Sequence, residues 1–112
     1  MLFSIRLQLE AEDDILRNLL WWAKHRSIDE ALEWDLIVQK QIRQISLNPD
    51  SYPLSIENDA FPYEIRDALI GKGKRGSYRA VFTVTDDTIF VLRVLRASQG
   101  QLGPVYFRHP LN

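Results

Sequence analysis

The stretch from Tyr78 to Leu95 constrains the fold of this chain more than any other part. Tyr78 to Thr85 and Thr88 to Leu95 are rich in β-branched and aromatic residues, with Asp86-Asp87 between them, a combination that predicts a β-hairpin. With Asp86-Asp87 as a two-residue turn, Thr85 opposes Thr88, Arg79 opposes Val94 and Ser77 opposes Arg96. Side chains alternate across a sheet, so this register sends Arg79 and the diagonal Arg96 out of one face and Arg93, opposite Ala80, out of the other. Val81, Phe90, Leu92 and Val94 make the face of Arg79 and Arg96 apolar, and Tyr78, Phe82, Ile89 and Val91 do the same for the other. A hairpin apolar on both faces needs a cover on each.

One cover is legible upstream. Ile15, Leu16, Leu19, Leu20 and Ala23 form an apolar stripe at helical spacing, preceded by Asp13 and Asp14 and followed by Lys24, His25 and Arg26. Acids at the start and bases at the end suit the helix dipole. Ser27-Ile28-Asp29-Glu30 has the form of a capping box, which opens a second helix carrying Ala31, Trp34, Val38, Ile42 and Ile45 to a stop at Asn48-Pro49. So short a connection makes the two helices an antiparallel hairpin. Alternation from Ser4 to Glu10 predicts a strand before the helices, and alternation from Phe61 to Leu69 predicts one after the loop of residues 50–60. Gly71-Lys72-Gly73-Lys74-Arg75-Gly76 is a basic turn. The predicted order is β-α-α-β-β-β, an α+β domain in which an N-terminal strand and a three-stranded antiparallel meander form one sheet. It spans residues 1–112, and its tail, about 98–112, has no clear pattern.

Composition removes several classes of function. The chain has 112 residues and no cysteine, which excludes disulfide scaffolds, thiolate nucleophiles and zinc-thiolate clusters. There is no apolar run of membrane-spanning length and no basic start followed by an apolar core, so a cytoplasmic location is expected. Gly71-Lys72-Gly73 lacks the spacing of a nucleotide-binding P-loop. The net charge of −1 conceals an asymmetry. Residues 1–60 hold 6 Lys/Arg and 11 Asp/Glu, whereas residues 61–112 hold 8 and 4, leaving a basic half able to face phosphate or an acidic partner.

These features together resemble the RelE/ParE superfamily, the toxins of bacterial type II toxin-antitoxin modules. The resemblance is carried by the helical hairpin ending in Ile42-Arg43-Gln44-Ile45-Ser46-Leu47-Asn48-Pro49, by Glu64-Ile65-Arg66-Asp67-Ala68-Leu69-Ile70, and above all by Tyr78 to Arg96. That last stretch is similar to the family's Tyr-Arg, apolar strand, acidic turn and apolar strand with basic ending. The resemblance implies a growth-arresting, plasmid-stabilising toxin neutralised by an antitoxin that wraps the sheet and hairpin, in a hetero-oligomer or a homodimer. It implies no cofactor, metal or membrane. One branch of the superfamily cuts mRNA on the ribosome without a metal, another poisons DNA gyrase, and a degenerate member would bind antitoxin without toxicity.

Metal-free RNA cleavage needs cations at the phosphate together with an acid and a base. On the ribonuclease reading Arg79 and Arg96 clamp a phosphate from one face. Lys72, Lys74, Arg75 and Arg93 are the further phosphate- or target-binding residues. The acid and base are poorly supplied: Arg96-Ala97-Ser98-Gln99 occupies the region where some ribonuclease members carry a histidine or tyrosine. Tyr106 and His109 in the tail, and Glu64, are the remaining candidates. Leu92-Arg93-Val94-Leu95-Arg96 is closer to a ParE-like ending, which favours gyrase. Trp21 and Trp22 lie about 100° apart on a helix, so one enters the core and the other is a candidate partner contact.

Overall fold

A computed structural model describes residues 3–72 and 77–97. Its elements are β1 (Ser4–Leu7), α1 (Leu9–His25), α2 (Ile28–Gln44), β2 (Arg66–Ile70), β3 (Tyr78–Thr85) and β4 (Thr88–Arg96), with three short 3-10 turns between α2 and β2. The strands form one sheet in the order β1-β4-β3-β2. The three C-terminal strands pair antiparallel, and β1 joins parallel to β4. This is the α+β arrangement expected.

Two boundaries differ from the pattern. Strand β1 stops at Leu7 and the helix starts at Leu9, so the apparent alternation through Glu10 is cut short. Gln8 donates its N–H to the Val91 carbonyl, and its own carbonyl accepts from Glu12 to open the helix, so the chain turns away from the sheet there. Downstream, β2 begins only at Arg66. Phe61 and Tyr63 lie in the preceding loop, where their rings pack beneath the sheet.

Each face of the sheet has its own core. Toward the helices, Ala11 and Ile15 of α1 and Trp34, Val38 and Ile42 of α2 pack on Ala68, Ile70, Tyr78, Ala80, Phe82, Ile89, Val91 and Val94. On the other face Val81, Phe90, Leu92 and Leu95 are buried with Ile65, and Phe61 and Tyr63 pack against them. The second cover is thus supplied, among the described residues, by the chain entering β2. Ser27 caps α2 by accepting from the Glu30 N–H at 3.0 Å. Gln41 brackets Gly71, accepting from its N–H at 2.6 Å and donating to its carbonyl at 3.3 Å. Gly71 has φ +104, a conformation that a side chain disfavours.

The register of β3 on β4 starts as expected, with Asp86 at φ 56 in the turn and Thr85 opposite Thr88. Between Val81 and Phe82 it slips by one, because Phe82 opposes Val91 while Val81 opposes Arg93, leaving Leu92 as the extra residue of a β-bulge. Beyond the bulge Arg79 opposes Leu95, not Val94, and Tyr78 opposes Arg96. Val94 consequently joins the helix-side core. A carboxylate holds this bulge in place: Asp14, buried on α1, accepts from Arg93 Nε at 2.7 Å and Nη2 at 3.0 Å, and from the Val94 N–H at 2.9 Å. Because β1 ends at the level of Val91, no strand among the described residues is paired with Val94 on that side, and Asp14 takes the strand's place.

Asp14→Ala would take its carboxylate away from the Arg93 guanidinium and leave the buried Val94 N–H without this acceptor, costing on the order of 3 kcal/mol. Urea unfolding of the variant against the parent protein checks this, with a reduced midpoint expected and an unchanged slope.

Candidate functional site

The bulge separates the two arginines that an undisturbed hairpin would bring together. Arg79 emerges on the loop side of the sheet, where it is only 3% exposed and grips Glu57 with both terminal nitrogens, at 2.8 Å and 2.5 Å. Its Nη1 also reaches Asp67 at 3.2 Å. Ser55 completes the cluster by donating to Glu57 at 2.8 Å. Arg96 emerges on the helix side with its guanidinium 4.7 Å from the centre of the Trp21 ring. The expected phosphate clamp of Arg79 with Arg96 is therefore not formed: they lie on opposite faces, and Arg79 is committed to carboxylates.

The electrostatics of the buried cluster follow from its contacts. The hydrogen bond from Arg79 to Glu57 raises the guanidinium's pKa, against the opposing effect of burial, so Arg79 is a fixed cation. Asp67 is different. Burial pushes its carboxyl pKa above the usual value, outweighing the attraction of Arg79, and among the described residues its buried Oδ1 has no hydrogen-bond partner. One carboxylate is well used here and the other is strained.

Arg93 is likewise engaged, by Asp14. Lys72 pairs with Glu33 at 3.1 Å and lies 5.7 Å from the Trp22 ring centre. Lys74, Arg75, Tyr106 and His109 fall outside the described residues, and Glu64 is on the surface, paired with Arg66 at 3.0 Å. The two tryptophans divide as their angular separation requires. Trp22 packs against the core and donates Nε1–H to the Tyr78 hydroxyl at 3.2 Å. Trp21 is exposed and stacks on His25 at 4.7 Å.

What the structure brings together is a groove of about 280 Å³ lined by Trp21, Trp22, Arg26, Ser77, Tyr78 and Arg96. It contains two candidates from one helix and one from the last strand, with Lys72 beside them. Its chemistry is that of π faces and cations, suited to stacking on a planar group and holding an anion near it. Of its lining, Arg26, Ser77 and Tyr78 were not among the sequence candidates. The four-residue spacing of Trp21 and His25 on one helix is the signal that would have placed His25 against the Trp21 ring. Among the described residues no group of His, Cys, Asp or Glu could hold a metal ion, and no helix is long and apolar enough to cross a membrane.

No protein-family profile matches the chain, and no curated protein matches it. Its fold is similar to that of a solved chain described as "Chromosomal ParDE TA system from P. aeruginosa", with a TM-score of 0.69 over 85% of this chain and 96% of that one, at 17% sequence identity. Identity that low makes this a likeness of fold.

Glu57→Gln is expected to cost about 3 kcal/mol in urea unfolding, because it replaces the carboxylate that holds both terminal nitrogens of buried Arg79 by a neutral group and leaves only the Asp67 contact. Asp67→Asn should behave in the opposite sense. A carboxyl whose folded pKa is raised favours the fold when protonated, and that contribution is lost as pH rises through the raised value. Asp67→Asn should therefore stabilise the protein at neutral pH, with its advantage fading as the pH falls toward the ordinary carboxyl range near 3.8; melting curves across that range check the sign.

Proposed function

We propose that this chain is the toxin of a type II toxin-antitoxin module, arresting growth when released from a cognate antitoxin, and that it acts by binding DNA gyrase and not by cutting RNA. The likeness in fold to a chain from a ParDE TA system, along nearly the whole of that chain, supports membership of such a module. The observation that carries the choice of mechanism is the burial of Arg79. An arginine 3% exposed and held by Glu57 and Asp67 is turned to carboxylates and not presented to a phosphate in a transition state, and Arg93 is engaged by Asp14. A toxin that works by binding needs neither.

A second reading has a specific observation in its favour. The groove of Trp21, Tyr78 and Arg96, with Lys72 nearby, offers stacking and positive charge to a single-stranded RNA, as a ribosome-dependent endoribonuclease would require. On that reading Arg96 replaces Arg79 as the phosphate-binding cation.

Two assays on the purified protein separate the readings. Inhibition of gyrase supercoiling, with mRNA left intact in a translating extract, is the expected result. Cleavage within codons that Arg96→Ala reduces by roughly a hundredfold or more, with supercoiling unaffected, would overturn the gyrase proposal in favour of the ribonuclease. Inactivity in both assays, with growth continuing on induction, would refute both and leave a fold that binds antitoxin alone.

A further inference from the structure

The outer face of the helical hairpin carries a pattern that the core does not need. On α1, Asp13, Leu16, Leu20 and Lys24 stand at intervals of three, four and four residues. On α2, Asp29, Leu32, Leu36 and Lys40 repeat the same intervals. All eight are exposed, and the spacing keeps each set on one side of its helix. The helices are antiparallel, joined through Arg26 and Ser27, so the four leucines lie side by side at the middle of the face. Asp13 and Lys40 share one end of the patch, and Lys24 and Asp29 share the other. Among the described residues none of these four charged residues takes part in an intramolecular ion pair. Arg17 and Glu33, which flank the patch, are engaged within the chain by Asp14 at 3.9 Å and Lys72 at 3.1 Å.

We infer that this face docks a second copy of the same chain. A charge arrangement with one acid and one base at each end is its own complement. A two-fold axis across the helices sets Asp13 against the partner copy's lysine at position 24, and Asp29 against the one at position 40. An axis along the helices instead exchanges the lysines, and it too brings opposite charges together. Both place leucine on leucine, with the ion pairs as a rim around an apolar centre. The occupant is identified by this self-complementarity: a uniformly charged partner would meet a like charge at half of the four corners.

The area fits a modest affinity. Two helices of 17 residues present a face of about 25 Å by 20 Å, roughly 500 Å² per copy. That lies at the lower edge of specific interfaces, so a dimer with a dissociation constant in the micromolar range is expected. The inference is independent of the target proposed above, since the patch includes none of the groove residues.

Analytical ultracentrifugation across the micromolar range tests it. The parent protein should pass from monomer to dimer, and the folded double variant Leu20→Asp with Leu32→Asp should raise the dissociation constant about a hundredfold or more. A charge exchange tests the complementarity separately. The all-basic variant (Asp13→Lys with Asp29→Lys) and the all-acidic variant (Lys24→Glu with Lys40→Glu) should each be monomeric alone and form a mixed dimer when combined, under either axis. A monomeric parent protein, a dimer that survives the leucine variant, or charge variants that fail to recover association on mixing would overturn the proposal.

Discussion

The extra residue in β4 and the carboxylate that stabilises it govern the geometry on both sides of the sheet. Leu92 shifts the register, so that Val94, Leu95 and Arg96 face the opposite sides from those an unbroken hairpin would give them. A bulge leaves backbone groups out of the ladder and is retained only where they find other partners. Asp14 supplies one by accepting from the Val94 N–H, and it binds Arg93 through the same carboxylate. One buried side chain on α1 therefore ties the helix to the sheet and fixes which face Val94, Leu95 and Arg96 occupy.

From that follows the division of the arginines. Arg96 emerges beside α1 and is free to lie on Trp21. Arg79, now opposite Leu95, is enclosed by the loop before β2. Its pair with Glu57 is a means of positioning more than a large source of net stability, because the desolvation of two charges offsets most of their attraction. Ser55, Glu57 and Asn58 shape the loop through Ser55 Oγ to Glu57 and the Ile65 N–H to Asn58 Oδ1. Phe61, Tyr63 and Ile65 are thereby set against the second face. The residue that resembles a catalytic arginine in sequence is, in the fold, an anchor for the second core.

Much of the architecture was legible from local chemistry. The Ser27 cap, the stripe from Ala31 to Ile45 and the Asp86-Asp87 turn are short-range signals whose physics lies within a few residues, and each stands where its pattern placed it. The start of α1 and the start of β2 were not. Alternation of apolar residues from Leu7 to Leu9 and from Phe61 to Ile65 fits a strand equally well as a turn whose apolar members pack elsewhere. Only the available hydrogen-bond partners, Val91 for Gln8 and Asn58 for Ile65, decide between them. Of the site candidates, Trp21, Trp22 and Arg96 converge on one groove, and Lys72 lies beside it. Arg79 and Arg93 do not, because Glu57 and Asp14 lie 22 and 79 residues from them along the chain, beyond the reach of any local pattern.

The sequence by itself determined the order of elements, the two apolar faces of the hairpin and the antiparallel helices, because periodicity and capping are properties of neighbouring residues. It also carried the repeated Asp-Leu-Leu-Lys spacing on the two helices, though not that the repeats lie side by side. The tertiary structure decided the register beyond Val91, the face on which each arginine emerges and the carboxylate that each one meets. A bulge costs little locally and is chosen by what packs against it, so its position depended on where α1 brought Asp14.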